Sequence, residues 1–286
     1  MTGHGGFLRG RVRAKIARAS VNRAAHLSEQ GRLGEAVEVA ERVVADFGSD
    51  PQPELREQVA LALAVQAVHL VDLGRVEEAV GVAERVVAAY GSDPRPALRE
   101  AVAKAMRNQI IDLARLGRLE DADAVAATMV ADYGGDPQPE LREQAGTAMA
   151  MRVGHLANLG RSEQAVEVAE RVVADYGSDP LPALRDAVAT AMVIQAYHLA
   201  KLGRLEQAVE VADRVVADYG SDPEPALREH VATAMLNQIG HLDRLGRPRQ
   251  AVAVAERVVA VYSADTDPEI RRLVDVANKV IAHGSR

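Results

Sequence analysis

The chain has 286 residues with 34 basic and 41 acidic side chains, so its net charge of −7 gives no overall argument for nucleic acid as a partner. It contains no cysteine, which excludes disulfides and thiolate-based zinc, redox or nucleophile chemistry. Apolar residues are mostly Ala, Val and Leu and aromatic residues are only 3%, a composition that favours closely packed helices over sheets.

The first ten residues include four glycines, and we expect residues 1–10 to form a flexible leader. The segment Met1 to Lys15 lacks the apolar centre of a signal peptide, and no apolar run reaches the length of a membrane span. We therefore expect a cytoplasmic protein without a membrane partner.

The rest of the chain is organised by a repeat. A Gly-Arg pair recurs every 43 residues, at Gly31, Gly74, Gly117, Gly160, Gly203 and Gly246. A fixed period of this length is typical of stacked repeat arrays. Residues 11–267 are therefore predicted to form six repeats in one continuous array.

Each repeat is predicted to contain two helices, and the second repeat serves as the type. Its first helix should run from about Pro53 to Leu73, after an Asp-Pro-x-Pro junction that supplies a capping acid and then proline. Gly74 should end this helix in the left-handed conformation. The second helix should run from about Val76 to Tyr90, and Gly91 closes it.

The last segment, residues 268–286, realigns as one more first helix followed by a short tail. Its inward positions are Ile270, Val274, Ala277 and Ile281, and its other faces are polar, as a terminal cap requires. The sequence thus predicts an all-α protein, an α-solenoid of six helix-turn-helix repeats plus a C-terminal capping helix.

Two motifs resemble those of a known family. They are Leu-Gly-Arg-x-Glu-Glu-Ala at the turn and Tyr/Phe-Gly-Ser-Asp-Pro-x-Pro-x-Leu-Arg-Glu at the junction, and residues 11–283 are similar to tetratricopeptide repeats (TPRs). The closer resemblance is to the longer, 43-residue variant common in actinobacteria. It implies a right-handed solenoid whose first helices line a concave groove that binds peptides or partner proteins. Leu70 and Ala83 replace large aromatic residues of the family, and the first helix is longer than usual.

A comparison of the six copies with one another indicates where a partner could bind. The core columns barely change, whereas columns on the polar side of the first helix vary, and by the resemblance these face the groove. Several of them hold apolar residues that we expect to be exposed, namely Val65, Val68, Ile111, Met151, Ile194 and Tyr197. The predicted partner-binding groove comprises Arg18, Leu61, Val65, Val68, Asp72, Lys104, Asn108, Ile111, Arg115, Met151, Asn158, Ile194, Tyr197, Lys201, Asn237 and Arg244. Unconstrained variation of an exposed surface is the alternative.

Three further columns recur in the repeats. Histidines at positions 26, 69, 155, 198 and 241 lie at the edge of the apolar arc, and we predict that they are half-buried boundary residues. Stacked helices hold neighbours in this column too far apart to share a metal ion readily, which argues against a metal site. A pH response of this column is a further hypothesis. Glutamines at 66, 109, 195 and 238 should form a buried polar ladder that fixes the stacking register, and the aromatic residues that end the second helices should fill the junctions between repeats.

The N-terminal helix is basic, with Arg9, Arg11, Arg13, Lys15, Arg18 and Arg23 and no acid before Glu29. We interpret it as a charged N-terminal cap, and contact with nucleic acid or with an acidic partner is the alternative.

No residue set has the pattern of an active site. Paired carboxylates, a Ser/His/Asp set and a His-Glu-x-x-His helix are not recognisable, and we expect no cofactor and no metal. The function predicted is a non-enzymatic scaffold that binds a peptide or a protein in its groove. The alternatives are a regulatory or sensor arm of a larger bacterial signalling system built on an ATPase switch, and a repeat protein that assembles with itself as a homo-oligomer.

Overall fold

The computed structural model describes residues 3–284, and this part of the chain is all-α. Its thirteen helices follow one another as six helix pairs and a C-terminal helix. In chain order they are α1 (Gly3–Glu29), α2 (Leu33–Phe47), α3 (Pro53–Asp72), α4 (Val76–Tyr90), α5 (Pro96–Arg115), α6 (Leu119–Tyr133), α7 (Pro139–Asn158), α8 (Ser162–Tyr176), α9 (Pro182–Lys201), α10 (Leu205–Tyr219), α11 (Pro225–Arg244), α12 (Pro248–Tyr262) and α13 (Pro268–Gly284).

We call the odd-numbered helices the first helices and the even-numbered ones the second helices. Helix α1 begins at Gly3, so helical backbone runs through residues 3–10 of the segment predicted as a flexible leader. Residues 1 and 2 of that segment lie outside the described residues, as do residues 285 and 286 of the predicted C-terminal tail. None of the helices within residues 3–284 is long and apolar enough to cross a membrane.

Each first helix from α1 to α11 ends two residues before the glycine predicted from the repeat. Gly74 has a φ of +74°, and the five equivalent glycines lie between +69° and +79°, the left-handed region that glycine adopts without strain. The amide of Arg75 donates to the carbonyl of Leu70 at 2.8 Å, and that of Gly74 to Val71 at 2.9 Å, so the last carbonyls of α3 are satisfied across the turn.

The start of the first helix differs in one detail from the sequence prediction. Asp50 does not cap α3 with its side chain, because the N-cap position is Gln52 and makes no side-chain capping bond. The Asp50 carboxylate instead accepts the amide of Gln52 at 3.0 Å, which holds the chain extended just before Pro53. The same bond recurs at Asp93, Asp136, Asp179, Asp222 and Asp265.

A cluster of three side chains fills the junction after a second helix. In the second repeat the guanidinium of Arg56, on α3, lies 4.9 Å from the ring centre of Tyr90, and it donates to the Asp93 carboxylate at 3.1 Å. Tyr90 is buried, as predicted for the aromatic residue at this position. The cluster recurs as Arg13/Phe47/Asp50, Arg99/Tyr133/Asp136, Arg185/Tyr219/Asp222 and Arg228/Tyr262/Asp265.

The chain divides into two compact units, residues 1–145 and residues 146–286. In the first unit, α2 packs between α1 and α3, and α4 packs between α3 and α5. Successive first helices are also in contact, α1 with α3 and α3 with α5. In the second unit α9 and α11 are adjacent first helices, with α10 packed on both of them, and α13 packs on α11 and α12. The core of each unit consists mainly of Ala, Val, Leu and Met.

Candidate binding groove on the first helices

All the residues predicted to form the groove lie on first helices, but not all of them are exposed. Of the six apolar residues expected to be exposed, Val68 and Tyr197 are about half exposed, whereas the other four are only partly accessible; these are Val65, Ile111, Met151 and Ile194. Val65 shows the reason, since it packs against a buried cluster formed by the preceding repeat. Neighbouring helices therefore cover part of a face that the repeat pattern alone marked as variable.

A cavity of about 520 Å³ lies between α3 and α5 in the first unit, with α4 beneath it. Seven of the predicted groove residues line it: Leu61, Val68, Asp72, Lys104, Asn108, Ile111 and Arg115. Its volume is within the range of pockets that bind small ligands or single anchoring side chains. The structure therefore brings together the predicted residues of these two helices, apart from Val65.

The sequence comparison missed the alanines that open this cavity. Ala64 and Ala67 on α3 face Ala101 and Ala105 on α5, and Ala83 and Val86 of α4 contribute to the floor. Small side chains on facing helices leave space that longer ones would fill. These alanines do not share repeat positions, since Ala64 aligns with Arg107, Ala67 with Ile110 and Ala101 with Gln58. A comparison of the copies, column by column, therefore gave no signal for them.

The rim of the cavity is charged, with more acids than bases. Lys104 pairs with Glu100 at 2.6 Å and Arg115 pairs with Asp112 at 3.1 Å, and Glu57 and Asp72 add two further carboxylates. Asp112 is buried, and burial raises the pKa of its carboxyl against the opposing effect of Arg115. The four carboxylates exceed the two cations, so the rim is acidic at neutral pH.

The predicted groove residues of the second unit do not line the cavity between α3 and α5. Tyr197 stands exposed on α9, with the Lys201 ammonium 5.8 Å from its ring centre, and Arg244 of α11 donates to the carbonyl of Ala200 at 3.1 Å. A second cavity of about 390 Å³ lies elsewhere, among α8, α9 and α10, and none of the predicted residues lines it. Arg18 lies exposed on α1.

The glutamine column forms the predicted polar ladder in three places. The Gln66 amide nitrogen donates to Glu41 of α2 at 3.2 Å, and its oxygen accepts from Arg85 of α4 at 3.0 Å. The corresponding bonds join Gln195 to Glu170 and Gln238 to Asp213. All three glutamines are buried, so these bonds link a first helix to the preceding second helix inside the stack.

The histidine column changes from exposed to buried along the chain. His26 is exposed and His69 is half-buried, whereas the histidines at positions 155, 198 and 241 are buried. The Nδ1 atom of His198 lies 2.9 Å from the hydroxyl of Ser162 on α8, and burial lowers the pKa of its imidazole, with the charge of Lys201 adding to the effect. Burial likewise lowers the pKa of His241. The column thus acts as part of the packing between helices.

Comparison with known proteins agrees with this geometry. A family model described as Tetratricopeptide repeat matches residues 21–94 and 151–223, which together are about half of the chain. Among solved structures, BtubC (BKLC) from P. vanneervenii has 13% identity and a TM-score of 0.58, over 92% of this chain and 92% of that one. The nearly identical TPR-like repeats of a protein assigned as a kinesin light chain from Podosopora anserina have 20% identity and a TM-score of 0.50, over 72% of this chain and 95% of that one. At these identities the likeness concerns the fold alone. No curated protein matches the sequence. The match of the repeat model to half of the residues, together with the stacked helix pairs, shows that the chain belongs to the tetratricopeptide-repeat family.

Proposed function

We propose that this protein is a non-enzymatic scaffold that binds a peptide or a protein segment through its first helices. Tetratricopeptide repeats are a type that generally mediates protein–protein interactions. The observation that carries the proposal is the cavity between α3 and α5, which is apolar inside and open to solvent between two helices that vary among the copies.

Exposed apolar side chains next to the cavity support the same function. Leu61 is 51% exposed and Val68 is 47% exposed, one on each side of the alanines that line the α3 wall. Apolar side chains at the edge of an apolar pocket are typical of recognition surfaces, because a partner side chain that enters the pocket removes both from water.

The charge of the rim indicates the chemistry of the segment bound. Since carboxylates outnumber cations around the cavity, a segment with a large apolar residue flanked by lysine or arginine would complement it. The apolar residue would anchor the segment, and the flanking cations would set its direction.

A peptide-display selection against the full chain tests this proposal. We expect the selected peptides to share a large apolar residue next to basic residues. Their binding should weaken at least about tenfold when Leu61→Asp and Val68→Asp are combined, and also when Ala101→Leu fills the cavity. The matched control is Val261→Asp, which changes an equally exposed valine on α12. Peptides that bind the groove variants as tightly as the unchanged chain would contradict the proposal.

A further inference from the structure

Helix α1 exposes a face that the later first helices bury. The face consists of Val12, Ile16, Ala19 and Arg23, which stand one 43-residue period before Leu55, Val59, Ala62 and Gln66 of α3. The residues of α3 are between 0% and 6% exposed, whereas Val12 is 55% and Ile16 is 52% exposed, and Ala19 and Arg23 are exposed as well. We call these four repeat positions registers one to four, in chain order. The residues at the same four registers are buried in α9 and in α11.

The repeats themselves indicate what fits such a face. In α3, α9 and α11 the preceding second helix packs on it, and an acid of that helix accepts a hydrogen bond from the glutamine of the fourth register. The clearest example is Gln238, which donates to Asp213 of α10 at 2.7 Å. The element that covers this face is thus a helix with an Ala/Val stripe and a carboxylate opposite the fourth register.

The charge of α1 strengthens the preference for an acidic element. Within α1 the first carboxylate is Glu29, whereas basic residues occur throughout the part of the helix before it. The fourth register holds Arg23 in place of glutamine, and a guanidinium binds a carboxylate more strongly than an amide does. The hydrogen bond from Arg32 is the main cause of the lowered pKa of Glu35 on α2, and the charge of Arg23 makes a smaller contribution in the same direction.

A second copy of the chain is a poor source for this helix. The second helices α2, α4, α10 and α12 each pack between two first helices, so their Ala/Val stripes are already covered in the folded protein. This argues for a helix supplied by another protein.

We propose that the exposed face of α1 is a docking site for an acidic, amphipathic, Ala/Val-rich helix of a partner protein, which packs on α1 as α10 packs on α11. This site is separate from the cavity between α3 and α5. Its partner would be an acidic helix, which complements the basic residues of α1. Val12 and Ile16 provide the apolar contact, and Arg23 provides the ion pair.

The probe is a fluorescently labelled synthetic peptide with the sequence of residues 203–222, which includes the whole of α10. Its fluorescence anisotropy would be titrated with the full chain. We expect saturable binding that weakens at least about tenfold when Val12→Gln and Ile16→Gln are combined. Both side chains are exposed, so this variant should keep the melting temperature of the unchanged protein.

Two controls establish whether the peptide binds at this face of α1. The double variant Leu61→Gln and Val68→Gln alters the cavity between α3 and α5, and it should leave peptide binding unchanged. A peptide that carries Asp213→Lys should bind more weakly, because it places a cation opposite Arg23. Failure of the peptide to bind at all, or equal binding to the Val12 and Ile16 variant, would overturn the proposal. Self-association of the chain that is abolished by the same variant, as seen by sedimentation velocity, would also overturn it, since the occupant would then be a second copy.

Discussion

Truncation of a junction tyrosine should destabilise the protein strongly. Tyr90 is 3% exposed, and its ring packs at the end of α4 beneath the guanidinium of Arg56. A tyrosine side chain carries about 150–250 Å² of surface, and replacing a buried aromatic residue with alanine costs about 3–5 kcal/mol. We expect Tyr90→Ala to lower the free energy of unfolding by this amount, of which the cation–π contact contributes about 0.5–1 kcal/mol.

Tyr197 offers a matched control on the same protein. It is 51% exposed on α9, so Tyr197→Ala should change the free energy of unfolding by less than about 1 kcal/mol. Urea unfolding followed by circular dichroism would compare the two variants. Because a repeat array need not unfold in one step, hydrogen exchange should show in addition that the loss of protection is concentrated in α3, α4 and α5.

A double-mutant cycle tests the cause. Arg56→Met combined with Tyr90→Ala should cost less than the sum of the two single variants, since each single change already removes the stacking contact. Similar losses for Tyr90→Ala and Tyr197→Ala, or strict additivity with Arg56→Met, would refute the argument that the junction cluster holds adjacent repeats together.

Two further predictions concern backbone geometry and pH. Gly74→Ala should destabilise the protein by about 1–2 kcal/mol, because φ is +74° there. Gly81→Ala inside α4 should stabilise it by up to about 1 kcal/mol, because its φ is not positive and, apart from its chain neighbours and the local helix backbone, no atom lies within 4 Å of the added Cβ. Thermal unfolding would contradict this if both changes had the same sign. The lowered pKa values of His198 and His241 mean that the neutral imidazole is favoured by folding, so this stabilisation is complete above the ordinary pKa of 6.5 and is lost as the pH falls below it. The melting temperature should therefore be lower at about pH 5.5 than at about pH 8. The drop should be smaller in His198→Gln and in His241→Gln, but it should persist in His26→Gln, whose side chain is exposed. A melting temperature that does not change over this range would exclude the effect.

Much of the fold could be predicted because local chemistry recurs at a fixed spacing. Proline at the start of the first helices from α3 onward, and glycine just after those from α1 to α11, determine where these helices begin and end. The observed bounds of α3 and α4 agree with the prediction to within a residue. The glutamine ladder and the buried tyrosines were likewise predictable, since a polar or aromatic residue that recurs within an apolar face must satisfy the same neighbours in every copy.

The lining of the cavity could be predicted only in part. The column comparison had placed Leu61, Val68 and Lys104 in the predicted groove, and they line the cavity. A column describes one helix at a time, whereas a cavity depends on the distance between two helices and on the size of the side chains that face each other. The alanines of α3 and α5 were therefore missed, and Val65 and Met151 were expected to be more exposed than they are.

The sequence by itself determined the helix pairs, their bounds and the residues that form the core, because these follow from the 43-residue period, from backbone chemistry and from helical periodicity. The tertiary structure decided which of these apolar faces are covered. Val12 and Leu55 occupy the same register of the repeat, yet the first is exposed and the second is buried, since α2 packs on α3 and no helix within residues 3–284 packs in the same way on α1. Burial is a property of neighbours, and a repeat pattern specifies a residue's place in its own helix without specifying whether a neighbour is there.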